Sequence, residues 1–127
     1  MMLRSINDQI AEIYDTRFSK YGPAPEASMW FSKTRQLTRF EVILQQILQV
    51  ASENSVSISD IGCGYGAFLE YLLNNEAYHK YNYFGYDLSC NVIEFCKKNF
   101  LNNGVFYRSA SPKFATDFII MSGTFNF

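Results

Sequence analysis

The stretch SISDIGCGYGAFLEYL, residues 57–72, constrains the fold of this 127-residue chain more than any other. It begins as a strand, because Val56 and Ile58 alternate with small residues. Three glycines follow within five positions, and helical spacing then returns at Phe68, Leu69, Leu72 and Leu73. Glycine permits positive φ and leaves no side chain between the backbone and a ligand. The stretch therefore predicts a strand, a tight turn suited to close approach of a ligand, and a helix.

A second strand and helix follow, as in a βαβ unit. YNYFGYD, residues 81–87, predicts the strand, Ser89 the helix N-cap, and CNVIEFCKKNF a helix with Val92, Ile93 and Cys96 on its inner face. Asp87 ends the strand about 20 residues after the glycines, where a carboxylate can accept hydrogen bonds from both ribose hydroxyls. Ligands of such folds bind at the carboxyl ends of the strands. The glycine turn and the spaced acid together indicate a ligand that contains a nucleoside.

The rest of the chain predicts further helices and two more strands. Apolar residues at steps of three and four predict an amphipathic helix over residues 3–18, and two prolines place a loop over 20–30. A second helix follows, with an apolar stripe formed by Leu37, Phe40, Ile43, Leu44, Ile47 and Leu48. GVFYR predicts a short third strand, and DFIIMS a fourth with the composition of a strand buried on both faces. The connection between them, residues 109–116, has no room for a covering helix.

Charge and cysteine usage narrow the classes of partner. A formal net charge of −1 provides no basic field of the kind that draws proteins onto nucleic acid or acidic membranes. Cys63, Cys90 and Cys96 form no C-x-x-C, so neither a disulfide framework nor a zinc site is indicated. No apolar run approaches the roughly 18 residues of a membrane span. We expect a cytoplasmic protein that uses no metal and binds neither nucleic acid nor membrane.

The glycine turn also fits a dinucleotide pattern. Gly62, Gly64 and Ala67 satisfy G-x-G-x-x-A, which leaves a nicotinamide or flavin site open. Asp60 argues against that site, because a carboxylate two positions before the first glycine would face the crevice and repel a pyrophosphate. The same carboxylate would attract a cationic amino or sulfonium group. A tight turn without a ligand is the third interpretation, but it leaves unexplained why turn, acid and both flanking periodicities occur together.

DIGCGYG, residues 60–66, resembles the D-x-G-x-G-x-G signature of the class I methyltransferases that use S-adenosylmethionine (SAM). YFGYDLSCNVIEFCKKNF resembles their second motif, in which a strand ends in an acid and a D-[IL]-S segment opens the next helix. DFIIMSGTFNF is similar to the fourth motif of the small-molecule enzymes, and residues 20–44 resemble their helical N-terminal cover. The resemblance implies a Rossmann-like three-layer α/β sandwich, with a mostly parallel, incomplete sheet in the order 3-2-1-4, preceded by N-terminal helices.

The resemblance also implies roles for individual residues. Asp60, Gly62 and Gly64 would line the amino-acid moiety of SAM, Asp87 would hold the ribose, and Leu88 would pack on the adenine. The full set predicted to bind the cofactor is Asp60, Gly62, Cys63, Gly64, Gly66, Asp87, Leu88, Arg39, Trp30, Ser109 and Ser122. No catalytic residue is assigned, and a small side chain is the simpler explanation of Cys63 within the turn.

Four of these residues lie outside the first two motifs. Arg39 is a candidate partner for the SAM carboxylate, since a guanidinium can donate two parallel hydrogen bonds, with a solvated helix face as the alternative. Trp30 is a candidate cap over the cofactor, with core packing as its alternative. The family often places an acid after strand three, whereas this chain has SASPK, so Ser109 or a backbone carbonyl would accept from the adenine amino group. Ser122 would lie near the methyl group, with Gly123, Phe125 and Asn126.

These expectations amount to one domain over residues 1–127, with a helical cover over 1–54 and a Rossmann-like cofactor half over 55–127. The expected function is methyl transfer from SAM to a small-molecule acceptor. An NAD-dependent oxidoreductase and a non-catalytic SAM-binding or interaction module remain alternatives. The family fold normally has seven strands, so the chain resembles a version truncated after strand four. We expect its apolar edge either to pair with a second copy or to reflect a longer protein.

Overall fold

A computed structural model describes residues 33–51, 55–75 and 80–122. Its elements are α1 (Lys33–Val50), β1 (Val56–Ile61), α2 (Ala67–Leu73), β2 (Tyr81–Asp87), α3 (Cys90–Asn99), β3 (Gly104–Arg108) and β4 (Phe118–Ile120). The four predicted strands and the three predicted helices that fall in these residues are confirmed. The helix predicted over residues 3–18 and the loop over 20–30 lie outside the described residues.

The four strands form one parallel sheet in the order β3-β2-β1-β4. β1 pairs with β2 along its whole length, whereas β4 pairs with residues 58–60 on the other side of β1. β3 pairs with residues 83–87 of β2. The predicted order 3-2-1-4 is confirmed. Because all four strands run in one direction, their carboxyl ends meet at a single edge of the sheet.

One face of the sheet packs against the three helices. The shared core contains Phe40, Leu44 and Ile47 of α1, Phe68, Leu69 and Leu72 of α2, Val92, Ile93 and Cys96 of α3, and Val56, Ile58, Tyr81, Tyr83 and Phe106 of the sheet. The inner face predicted for α3 is confirmed, and Ser89 caps this helix by accepting from the Val92 N–H over 3.2 Å. On α1 the middle of the predicted stripe is buried, but Leu37 and Leu48 are exposed and Gln36 is buried instead.

The opposite face of the sheet lies under the connection from β3 to β4, which contains no helix, as predicted. Phe114 of this connection meets Phe84 edge to face, with ring centroids 4.7 Å apart. Tyr86 stacks on Tyr107 at 5.3 Å, and its hydroxyl accepts from the main-chain N–H of Lys113 over 3.1 Å. In the described residues the sheet is therefore covered by helices on one face and by this connection on the other.

β4 is less buried than its apolar composition predicts. Phe118 and Ile120 are half-buried on the helical face, but Ile119 is 60% exposed on the other. Within residues 33–51, 55–75 and 80–122, no strand pairs with the outer edge of β4. The prediction of a strand buried on both faces is wrong for these residues, because burial of an edge strand depends on neighbours that its own sequence does not supply.

None of the helices in the described part of the chain combines the length and the apolar character that crossing a membrane requires.

Candidate functional site

The glycine turn lies at the carboxyl end of β1 and is bound to the end of β2. The N–H groups of Gly62 and Cys63 both donate to the Tyr86 carbonyl, over 2.7 and 2.9 Å. The Gly64 N–H donates to Oδ2 of Asp87 over 2.9 Å. Gly62 and Gly64 have φ of 70° and 58°, a region in which a Cβ is strained. The path of the turn therefore favours glycine at both positions and directs main-chain donors toward β2.

Gly66 is explained by packing within the protein. Its φ is 88°, and a Cβ there would lie 2.6 Å from Cε2 of Phe100 at the end of α3. Its carbonyl accepts from the Glu70 N–H over 2.9 Å and so starts α2. Close approach of the turn to α3 accounts for this glycine, and its predicted contact with a cofactor stays a prediction.

Cys63 lies under the turn beside Cys96. Both thiols donate to the Gly64 carbonyl, over 3.4 and 3.3 Å, and both side chains are buried. Burial raises the pKa of the Cys63 thiol well above its ordinary value, and Cys96 beside it adds to that rise. Cys63 therefore packs beneath the glycine turn as a small, protonated side chain.

Asp87 connects the glycine turn to the start of α3. Its side chain is 4% exposed. Oδ2 accepts from Gly64, and Oδ1 accepts from the Ser89 N–H over 3.0 Å. Each oxygen of a carboxylate can accept more than one hydrogen bond. Asp87 can therefore support the turn and accept hydrogen bonds from a bound ligand at the same time.

Asp60 is fully buried and does not face the crevice. The Tyr83 hydroxyl donates to Oδ2 over 2.6 Å, and the Ser122 hydroxyl and N–H donate to Oδ1 over 2.8 and 3.2 Å. Burial raises the pKa of Asp60 to about 6, although the bonds from Tyr83 and Ser122 favour the charged form. The argument that Asp60 would repel a pyrophosphate from the crevice is therefore wrong. The sequence could have indicated this burial, because side chains alternate between the two faces of a strand and Asp60 lies on the same face of β1 as buried Ile58.

Arg39 and Ser122 lie near the carboxyl end of β4. Nη2 of Arg39 donates to the Met121 carbonyl over 3.4 Å, and Ser122 is the next residue. Arg39 also lines a groove of about 330 Å³ between α1 and β4, whose other lining residues include Ile43, Ile47, Val50, Phe118 and Ile120. A guanidinium is thus present near the carboxyl end of β4, and its pairing with the SAM carboxylate stays a prediction.

Leu88 and Ser109 follow the ends of β2 and β3. The Leu88 side chain is half-buried, and its carbonyl accepts from Nε of Arg108 over 2.9 Å. The Ser109 hydroxyl donates to the Ser111 carbonyl over 2.8 Å and accepts from the Ser111 N–H over 3.2 Å. Because its proton is already donated, this hydroxyl can serve a ligand only as an acceptor, which is the role predicted for it.

Sequence reasoning missed four residues that support the site. The Tyr65 hydroxyl, within the glycine turn, lies 3.4 Å from both polar atoms of Gln36 on α1, and both side chains are buried. Tyr83 holds Asp60, and Arg108 holds the turn after β2. The burial of Gln36 could have been predicted, because this residue lies in line with the apolar stripe of α1. No local sequence pattern predicts that Arg108 binds the Leu88 carbonyl.

Four predicted residues fall outside the described part of the chain, namely Trp30, Gly123, Phe125 and Asn126. Among the residues that the structure describes, no group of three histidine, cysteine or acidic side chains is placed to hold a metal ion.

Comparison with known proteins identifies the family. Residues 59–127 match the family model described as "Methyltransferase domain", Methyltransf_11. No curated protein matches the chain at a significant level. The plantazolicin methyltransferase BpumL in complex with SAH is similar in fold, with 22% identity and a TM-score of 0.56, over 87% of this chain and 40% of that chain. BpumL with a pentazolic desmethylPZN analog and SAH has 22% identity and a TM-score of 0.52, over 91% and 48%. BamL with a triazolic desmethylPZN analog and SAH has 21% identity and a TM-score of 0.54, over 90% and 46%.

At these identities the likeness to solved structures shows the fold alone, which is a Rossmann-like α/β fold with a parallel sheet. The chain spans less than half the length of these structures, between 40% and 48%. The family match covers more than half of the chain and includes the glycine turn, Asp87 and β4. The chain therefore belongs to the methyltransferase domain family.

Proposed function

We propose that this chain binds SAM at the carboxyl edge of β1, β2 and β3, and that it is the cofactor-binding half of a SAM-dependent methyltransferase. The observation that carries the proposal is the bond from the Gly64 N–H to Asp87 over 2.9 Å. This hydrogen bond connects the glycine turn with Asp87. The turn can approach a ligand closely, and the Asp87 carboxylate can accept hydrogen bonds from a ribose. The family match and the SAH named in the similar structures both support this cofactor.

The described residues suit each part of SAM. The Asp87 carboxylate is of the type that accepts from ribose hydroxyls, and half-buried Leu88 next to it provides an apolar contact for adenine. The main chain at Gly62 and Gly64 can approach the amino-acid moiety without interference from side chains. Arg39, near the end of β4, offers a guanidinium to the carboxylate. When bound, SAM supplies a methyl group activated by its sulfonium, and the task of the protein is mainly to position the reactants.

A small-molecule acceptor is the substrate class that we propose. SGTFN, residues 122–126, is similar to a motif of the small-molecule enzymes, and the net charge of −1 provides no basic surface for nucleic acid. The desmethylPZN analogs named in the similar structures support the same class. We also propose a cytoplasmic location, because all three cysteines are free thiols and the cytosol keeps thiols reduced.

Calorimetric titration with S-adenosylhomocysteine (SAH) and, separately, with NAD tests the proposal. We expect SAH alone to bind, and Asp87→Asn to weaken SAH binding by about tenfold or more, because one acceptor oxygen becomes a donor. Lys98→Met, which removes an exposed cation on α3, is the control and should bind like the parent chain. Binding of NAD alone would establish the oxidoreductase alternative. If neither ligand binds and the chain still shows a cooperative thermal transition, the glycine turn has only a structural role and the proposal is wrong.

Pairing of two copies at the outer edge of β4 stays a prediction. It is supported by Ile119 and Met121, which are 60% and 46% exposed beside the groove that α1 and β4 form. We expect sedimentation velocity at micromolar concentration to detect a dimer that Ile119→Lys abolishes. Lys98→Met again serves as the control. A monodisperse monomer of the parent chain would contradict the pairing.

A further inference from the structure

Arg108, the last residue of β3, binds the turn that follows β2. In the strand register its Cα lies opposite that of Asp87, and its Nε–H donates to the Leu88 carbonyl over 2.9 Å. The next residue, Ser109, donates its N–H to the Asp87 carbonyl over 3.0 Å. Two consecutive residues at the end of β3 thus bind two consecutive carbonyls at the end of β2.

The Leu88 carbonyl differs from its neighbours in the kind of donor that it receives. The Asp87 carbonyl accepts from the main-chain N–H of Ser109, and the Ser89 carbonyl accepts from the main-chain N–H of Ile93. The Leu88 carbonyl accepts from the side chain of Arg108. A substitution can therefore remove this bond without altering the backbone pairing around it.

The bond to Leu88 acts on Asp87 through a single peptide group. The Leu88 carbonyl and the Ser89 N–H belong to the same planar peptide unit, so the orientation of one determines that of the other. The Ser89 N–H donates to Oδ1 of Asp87 over 3.0 Å. Arg108, the peptide and the Asp87 carboxylate thus form one hydrogen-bonded chain, in which each bond polarises the next.

We propose that Arg108 is a positioning residue for the adenosine end of bound SAM. This inference rests on the proposed function. By holding the peptide after Leu88, Arg108 orients the carboxylate that accepts from the ribose and the side chain that contacts the adenine. The guanidinium acts through its Nε–H on a main-chain acceptor, and its net charge is not required.

Two substitutions separate the Nε–H from the charge of Arg108. Arg108→Gln places an amide nitrogen at the same position along the side chain as Nε, and it removes the charge. Arg108→Met keeps a side chain of similar reach but has no donor. We expect Arg108→Met to raise the Kd for SAH about fivefold, the loss of one hydrogen bond of about 1 kcal/mol, and Arg108→Gln to stay within about twofold of the parent chain. Lys98→Met controls for the loss of a surface cation and should leave the Kd unchanged.

A second readout distinguishes positioning from general loosening of the fold. Titrating the 2′-deoxyribose analogue of SAH measures the contribution of the ribose hydroxyl in each variant. If Arg108 orients Asp87, removing this hydroxyl from the ligand should raise the Kd of Arg108→Met by a smaller factor than it raises the Kd of the parent chain. The thermal midpoints of the unliganded variants should lie within a few degrees of one another, because Arg108 is exposed.

The inference is overturned if Arg108→Met binds SAH like the parent chain, if Arg108→Gln loses as much affinity as Arg108→Met, or if the ribose hydroxyl contributes equally in both backgrounds. Failure of the parent chain to bind SAH is a different result, which overturns the proposed function itself.

Discussion

The Ser122 hydroxyl donates to the Asp60 carboxylate over 2.8 Å and joins the end of β4 to the end of β1. The Tyr83 hydroxyl donates to the same carboxylate from β2 over 2.6 Å. Three strands of the sheet therefore meet at one buried acid, two residues before the glycine turn. Because burial raises the pKa of Asp60 to about 6, the protonation of this acid is linked to the stability of the fold.

We expect Asp60 to make the free energy of unfolding fall as the pH rises from about 4 to 6. An acid whose pKa is raised in the folded state stabilises the fold below its unfolded pKa of about 3.8, and this contribution is lost as the pH rises through about 6. Each unit of pKa difference corresponds to about 1.4 kcal/mol, so Asp60 should lower the free energy of unfolding by about 3 kcal/mol between pH 4 and pH values above 6. Urea unfolding of the parent chain and of Asp60→Asn across this range measures it.

Asp117→Asn is the control for this pH dependence. Asp117 is exposed, and hydrogen bonds from Ser57 lower its pKa, so its stabilising contribution is lost only as the pH falls below about 4. Its substitution should therefore leave the change between pH 4 and 6 intact. An equal pH dependence in the parent chain and in Asp60→Asn would contradict the role assigned to Asp60.

Ser122→Ala should destabilise the fold more at pH 7.5 than at pH 5. At the higher pH the Ser122 hydroxyl donates to a charged carboxylate, and we expect a loss of about 2 kcal/mol, against about 1 kcal/mol when Asp60 is protonated. Ser59→Ala is the matched control, because the Ser59 hydroxyl is equally buried but shares a hydrogen bond of 2.8 Å with the neutral hydroxyl of Thr116. A similar change with pH in both variants would show that Asp60 is not the cause.

Gly66→Ala should destabilise the chain by about 3 kcal/mol, combining left-handed backbone strain with overpacking against Phe100. Introducing the same change into a Phe100→Leu background should cost less, because the ring that a Cβ would approach to 2.6 Å is gone while the strain at φ 88° remains. Thermal unfolding of the four chains measures this coupling. Equal costs in the two backgrounds would mean that packing against Phe100 does not require the glycine.

A single thiol should react quickly in the folded chain. Cys90 is exposed, whereas Cys63 and Cys96 are buried and the pKa of Cys63 is raised by that burial, so its reactive thiolate form is rare at neutral pH. Mass spectrometry after brief alkylation at pH 7.5 should find one modified cysteine in the native chain and three in urea. Cys90→Ser should remove the fast reaction. Rapid modification of Cys63 in this variant would contradict the packing beneath the glycine turn.

Local periodicity was sufficient to predict the main elements of the fold. The strand at residues 56–61, the glycine turn, the helix cap at Ser89 and the spacing to Asp87 follow from residues close together in the chain, and all of them are confirmed. The sheet order followed from the family resemblance, and the described sheet agrees with it.

What the sequence by itself determined is therefore the set of elements and the turn that brings a ligand to the backbone, because these depend on the conformational preferences of neighbouring residues. Only the tertiary structure decided how distant residues meet. Asp60 and Ser122 are brought together by the pairing of β1 with β4, and Arg108 reaches Leu88 because of the register between β2 and β3. The exposure of Ile119 likewise depends on which segments lie beside β4. Such contacts join residues that are far apart in the chain, and no local pattern encodes the geometry of packing that creates them.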